Sequence, residues 1–190
     1  MQTPDRTEFI DCANAAHWET WLARQYERSG GVWLRIAKKR LGKASVTISE
    51  ALDIALCYGW IDSQRKGYDQ TYYLQRYSPR RPKSPWSKLN VERAEALIAT
   101  GRMQPSGLVE IEAAKVDGRW DAAYESQRNV SMPPDLAAAL AQNERAKKTF
   151  DLLDKSGQYA VILPILKATT ADRRAARLQK AITRLAAGLI

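Results

Sequence analysis

The stretch Tyr58–Asn90, YGWIDSQRKGYDQTYYLQRYSPRRPKSPWSKLN, constrains the fold more than any other part of the chain. It holds seven of the sixteen aromatic residues, and from Tyr58 to Arg93 eight Lys/Arg stand against three Asp/Glu, interrupted by Pro79, Pro82 and Pro85. Rings and charges this interleaved cannot all be buried, because an unpaired charge is costly to desolvate. The segment has to present a surface.

What precedes it fixes its entry. Thr47-Ile48-Ser49-Glu50 is a capping box, in which hydroxyl and carboxylate each satisfy the other residue's amide, and it predicts a helix through Tyr58. Leu52, Ala55 and Leu56 form the expected buried stripe, with Cys57 beside it, and Gly59 supplies the left-handed residue that ends such helices. Trp60, Ile61 and Asp62 therefore leave a helix end at a defined place. From Ile61 to Tyr77 the alternation predicts two strands around a turn near Lys66-Gly67-Tyr68-Asp69, with Tyr72, Leu74 and Arg76 on one face and Tyr73, Gln75 and Tyr77 on the other. Ser78 to Pro85 reads as an irregular loop, since its prolines fix φ and withhold donors.

The flanks are simpler. Residues 14–28 read as a helix capped by Asn14, with Trp18, Trp21 and Leu22 on one face, stopped by Ser29-Gly30-Gly31. Val32–Ala37 reads as a strand ending in the basic run Lys38-Lys39-Arg40. Beyond Trp86 the pattern is helical. Ser87 or Asn90 caps a helix burying Ala94, Leu97 and Ile98, and a second follows Pro105-Ser106 with Leu108, Ile111 and Ala114 or Lys115 on one side; Gly101, Gly107 and Gly118 read as helix punctuation. A short helix runs from Pro133-Pro134-Asp135 to about Gln142, and the next covers 144–154, broken by Ser156-Gly157. Val161–Leu166 is apolar on all sides and expected to be buried, with Pro164 kinking or dividing a helix. The last helix, 171–187, turns Ala171, Leu178, Ile182 and Leu185 inward and Arg173, Arg174, Arg177, Lys180 and Arg184 outward. The expectation is an α+β fold: a small antiparallel sheet of about three strands flanked by helices in residues 1–130, with a C-terminal helical unit, residues 131–190, packed on it.

The net charge of +9 favours anionic partners, although it equally describes a solvated basic surface. Cys12 and Cys57 form neither a disulfide framework nor a CxxC pair and read as reduced thiols of a cytoplasmic protein. The opening MQTPDRTEFIDC lacks an apolar leader core, and no run approaches the ~20 apolar residues of a membrane span. His17 is the only histidine, which removes histidine metal clusters and complete Ser-His-Asp mechanisms. Neither a metal nor a cofactor is expected.

Three chemistries compete for the central stretch. Arg76, Arg80, Arg81, Lys83 and Lys88 around Tyr72, Tyr77 and Trp86 have the ingredients of a nucleic-acid surface, cations for phosphates and flat rings for bases. The same ingredients arise when cations pack on rings inside a fold. Arg80 and Arg81 with Ser84, Ser87 and Asn90 ahead of a helix also form an anion cradle, without the glycine spacing of a Walker loop. Asp62 and Asp69, with Tyr68 and Tyr72 as relays, are the acid–base candidates; the structural alternative is an Asp62–Arg ion pair.

EALDIALCYGWIDSQRKGYD (50–69), RYSPRRPKSPWSKLN (76–90), GRM (101–103), GL (107–108), AAKVDGRW (113–120) and PPDLAAAL (133–140) together resemble the YdeI/OmpD-associated family of bacteriocin-protection proteins. The resemblance implies protection against bacteriocin or cationic-peptide stress and, for some members, association with an outer-membrane porin. It brings no established active site. Gly59, Trp60, Ile61 and Asp62 match one family motif, Pro79, Arg80, Arg81, Ser84, Trp86, Ser87 and Asn90 a second, and Asp117, Gly118, Arg119 and Trp120 a third. The chain departs from the family pattern ahead of the last helix, where Thr169 follows Ala168 and Arg173 precedes Arg174.

The candidate site is therefore Trp60, Asp62, Tyr72, Arg76, Arg80, Arg81, Ser84, Trp86, Asn90, Arg119 and Trp120, expected to converge on one surface, with Asp62 the weak catalytic candidate. The expected function is a cytoplasmic binding protein for an anionic ligand. The alternatives are a nucleic-acid binder and an enzyme acting on a phosphorylated or nucleotide-like substrate.

Overall fold

A computed structural model describes residues 8–39 and 43–189. Arg40 of the basic run and MQTPDRT at the N-terminus lie outside the described residues. In chain order the elements are β1 (Ile10–Asp11), α1 (Ala15–Gln25), β2 (Val32–Ala37), α2 (Ile48–Cys57), β3 (Trp60–Gly67), β4 (Tyr72–Pro79), α3 (Lys88–Ala99), α4 (Pro105–Val116), α5 (Pro134–Ala141), α6 (Glu144–Asp151), α7 (Lys155–Leu166) and α8 (Ala171–Ala187). The fold is α+β. Among the described residues its sheet has four strands in the order β1-β2-β4-β3, not about three, and it is mixed rather than antiparallel because β1 pairs parallel to β2. A two-residue strand is too short to leave an alternation in the sequence.

The chain forms two compact units, Met1–Ser84 with Asn90–Asp121, and Pro85–Leu89 with Ala122–Ile190. In the first, Val32, Leu34 and Ile36 of β2 and Tyr77 of β4 turn to one side of the sheet and join Trp18, Leu22, Ile54 and Ala55 of α1 and α2 in one core. Trp18 is fully buried because its indole Nε1 donates to the Ala51 carbonyl at 3.0 Å, so its one polar atom is satisfied. The capping box forms as read, the Glu50 amide donating to Thr47 Oγ1 at 3.2 Å and the Thr47 amide to Glu50 Oε2 at 2.9 Å. Hydrogen bonding to Thr47 holds the Glu50 carboxyl below its usual range.

In the second unit, Leu136, Leu140, Ala146, Phe150, Ile162, Ile165 and Leu185 make the core. The segment Pro85–Leu89 belongs here through Tyr124, whose amide donates to the Trp86 carbonyl at 3.0 Å and whose carbonyl accepts from the Lys88 amide at 2.9 Å.

Several side-chain placements differ from expectation. Leu52 is half-buried, while Ala51 and Ile54 take the core side of α2. Ile98 and Leu108 are exposed. Ser156 and Gly157 do not break a helix but sit in the first turn of α7, where the Gly157 amide donates to the capping Asp154 carboxylate at 2.7 Å. Only Ile162 and Ile165 of the apolar run are buried, and Pro164 lies exposed inside α7. Gly107 lies within α4 rather than at an end.

Candidate functional site

The end of α2 organises the helix-facing side of the sheet. Gly59 takes φ 76°, where a Cβ would lie 2.9 Å from the Ser106 carbonyl oxygen, and its own carbonyl accepts from the Arg80 amide at 3.0 Å. The first motif and the proline loop are thereby tied together at the backbone. Trp60 is a core residue, 1% exposed, with Nε1 donating to the Tyr26 carbonyl at 2.8 Å and its ring edge-on to Trp21.

Two residues on, Asp62 pairs across the ladder with Tyr77, while Arg65 pairs with Gln75. Residues three apart on a regular strand point to opposite faces; here β3 carries a bulge between Asp62 and Arg65, and the extra residue returns both to the helix-facing side. The half-buried Asp62 carboxyl is pushed above its usual value by burial, against the opposing pull of its own backbone and of Arg65, Arg80 and Arg93. Tyr77 is fully buried, its hydroxyl has no hydrogen-bond partner among the described residues, and burial and then Asp62 drive its ionisation far above the ordinary range. Arg93 of α3 is held by Asp53 at 2.5 Å and by Ser49 Oγ at 3.1 Å, both on α2. Arg80 is 6% exposed. Asp62 thus sits in a cationic, largely desolvated environment.

The outer face of the same sheet is basic and aromatic. Trp33 pairs with Arg76, Arg35 and Lys66 both pair with Leu74, and Ala37 pairs with Tyr72, so all seven share one face. The Arg35 guanidinium stands 4.5 Å from the Tyr72 ring centre, 5.1 Å from Phe9 and 5.8 Å from Tyr68, and its Nε lies 2.6 Å from the Asp11 carboxylate. Lys66 Nζ lies 5.0 Å over Trp33. Beneath these side chains Leu74 is 1% exposed, which their apolar stems explain.

The proline loop is fastened from below. Arg119 Nη1 donates to the Ser84 carbonyl at 2.8 Å while its Nε lies 2.7 Å from both Asp117 oxygens, and that guanidinium holds the Asp117 carboxyl below its usual value. Trp120 is buried, with the Lys115 ammonium 5.8 Å from its ring centre. Arg81 is exposed, Asn90 is half-buried in α3, and Trp86 is buried in the second unit.

The candidate residues thus fall into sets. Trp60 and Asp62 share the helix side of β3, where Arg80 acts on the Asp62 carboxyl, Tyr72 and Arg76 share the outer face, and Ser84 is joined to Arg119. Arg65 and Arg93 around Asp62, and Trp33, Arg35 and Lys66 on the outer face, escaped the reading of the sequence. The signal for Trp33 and Arg35 was present, as the residues alternating with Val32, Leu34 and Ile36.

Residues 10–110 match the family model of a domain of unknown function (DUF8412), and residues 129–188 match the model described as bacteriocin-protection, YdeI or OmpD-associated. The chain belongs to the first of these families, whose model spans more than half of it, and its C-terminal part carries the YdeI/OmpD-associated match. No curated protein and no solved structure matches it. The YdeI/OmpD-associated match takes in PPDLAAAL, whereas the motifs at 59–62 and 76–90 lie in the domain of unknown function and DGRW lies between the two matches. Within the YdeI/OmpD-associated part, Arg174 of α8 forks onto Asp135 of that motif, Nε to Oδ2 at 2.6 Å and Nη2 to Oδ1 at 2.8 Å. No described helix is long and apolar enough to cross a membrane.

Proposed function

We propose that the chain is a cytoplasmic binding protein acting in protection against bacteriocin or antimicrobial-peptide stress, and that it holds an anionic ligand on the outer face of its sheet. The observation that carries this reading is the cross-strand pair Trp33–Arg76 with Lys66 over the same indole, a ring and two cations on one side of the strands. Asp11, on the neighbouring strand β1, is neutralised by Arg35. Rows of such residues recur about every 6.8 Å along a strand, which suits an extended polyanion whose flat groups stack while its phosphates meet the cations. Single-stranded nucleic acid is the ligand class that uses both. The protective role is supported by the description of the family matched by residues 129–188.

Fluorescence anisotropy with a labelled single-stranded oligonucleotide tests the binding. Trp33→Ala and Arg76→Glu should each weaken it about tenfold, and Arg76→Glu should reduce the salt slope by about one. No binding at low salt, or binding indifferent to both changes, overturns the reading. Cells producing the Arg76→Glu variant should survive bacteriocin challenge less well than cells producing the unaltered chain.

A further inference from the structure

We propose a second site on the opposite, helix-facing side of the sheet: a groove of about 530 Å³ that takes a small phosphorylated molecule between Lys38, Lys39, Lys43 and Arg65. Arg65 and Tyr73 reach it from the hairpin, since their cross-strand partners Gln75 and Ile36 both lie on the buried side of the sheet. The volume falls within the ~300–1,000 Å³ common for small-ligand sites.

Charge is the deciding property. Among the described residues, four cations and no carboxylate line the groove. Arg35, Arg93, Arg119 and Arg174 are each neutralised by an aspartate, yet among the described residues none of the groove's four cations makes an ion pair. The hydrogen bonds of Lys38 and Arg65 go to neutral groups, although Arg65 also acts on the Asp62 carboxyl without pairing with it. Lys38 Nζ donates to the Asp69 carbonyl at 2.8 Å, and Arg65 Nε donates to Gln75 Oε1 at 2.9 Å while its guanidinium stacks 4.8 Å from the Tyr73 ring centre. Like charges gathered around a concave surface repel one another, and a multiply charged anion removes that cost.

The chemistry of the remaining lining selects the class of anion. Side chains must hold it, because Glu50 already occupies the amide and hydroxyl of Thr47 at the start of α2. Arg65, steadied by Gln75 and Tyr73, offers a planar fork suited to phosphate oxygens, and the lysines add point charges. Val46 and Ile48 give the groove an apolar wall for the organic part of the ligand. A phosphate ester with an apolar or aromatic body fits that division.

Calorimetric titration of the full chain with inorganic pyrophosphate, ATP and adenosine tests the site. ATP should bind most tightly, pyrophosphate more weakly, and adenosine not at all. The double change Lys39→Glu, Lys43→Glu, on exposed side chains, should weaken ATP at least tenfold; Arg65→Lys, which keeps the charge and loses the fork, should also weaken it. Arg76→Glu on the outer face should leave it unchanged. Failure of the unaltered chain to bind ATP, adenosine binding as well as ATP, or affinity lost in Arg76→Glu but kept in the groove variants each overturns the proposal.

Discussion

Gly107 of α4 rests against the carbonyl of Cys57 at the end of α2: a Cβ at Gly107 would lie 2.3 Å from that oxygen and 2.9 Å from its carbon. The same carbonyl accepts from the Gln104 amide at 3.1 Å, so it is held from two sides. No side chain fits between the two helices at this point. Gly107→Ala should therefore cost about 1–3 kcal/mol, read as a lower urea midpoint, whereas Leu108→Ala at the neighbouring exposed position should stay within about 0.5 kcal/mol. Equal midpoints for the two variants would show that the helices separate without penalty.

That glycine also shows where the sequence is legible. Gly101 and Gly118, read as punctuation, do follow α3 and α4 with positive φ, because a helix end is a local event that its own residues announce. Gly107 answers to a carbonyl fifty residues away and carries no local mark. The same division runs through the fold. Asn14 and the Thr47–Glu50 box announce their helices, while β1 exists only because β2 is beside it. At the site, alternation placed Tyr72 and Arg76 on one face correctly, but it could not bring Asp62 and Arg65 together, since the bulge between them breaks the period that the reading relied on. Arg119 stood out as part of a motif, and its function as a strut to Ser84 needed the third dimension.

The fully buried Tyr77 carries a hydroxyl with no hydrogen-bond partner among the described residues. An orphaned polar group of this kind costs about 1–3 kcal/mol, which its removal recovers. Tyr77→Phe should raise the melting temperature by about 2–4 °C, the shift expected of roughly 1 kcal/mol in a chain of this length. A fall of that size would mean the hydroxyl is paired.

Asp62 has its folded pKa raised by burial, although its backbone, Arg65, Arg80 and Arg93 pull the other way. For a group shifted upward, the stabilising contribution is complete below the unfolded value of about 3.9 and is lost as pH climbs through the folded value. Glu50, Asp117 and Asp135 shift downward and oppose this trend in the whole protein. The difference between Asp62→Asn and the unaltered chain isolates it. Melting curves from about pH 3 to pH 6 should move in favour of the variant as pH rises; a difference that is flat, or that moves the other way, would place the folded pKa at or below the ordinary one.

Asp135 and Arg174 make the opposite case. The fork between them joins the start of α5 to α8, and Arg174 Nη1 adds a hydrogen bond to the Ile165 carbonyl at 3.3 Å. Hydrogen bonding to Arg174 holds the Asp135 carboxyl below its usual value, so the pair's contribution is present above the ordinary carboxylate pKa and disappears as pH falls through the lowered one. Both side chains are about a third exposed, at 35% and 34%, so solvent screening limits the pair to roughly 1 kcal/mol. Asp135→Asn should melt lower than the unaltered chain at pH 7 and converge with it in acid. Arg174→Lys, which retains the charge and loses the second hydrogen bond, should fall between them at neutral pH; a lysine variant as stable as the unaltered chain would show that charge alone, without the fork, fastens α8.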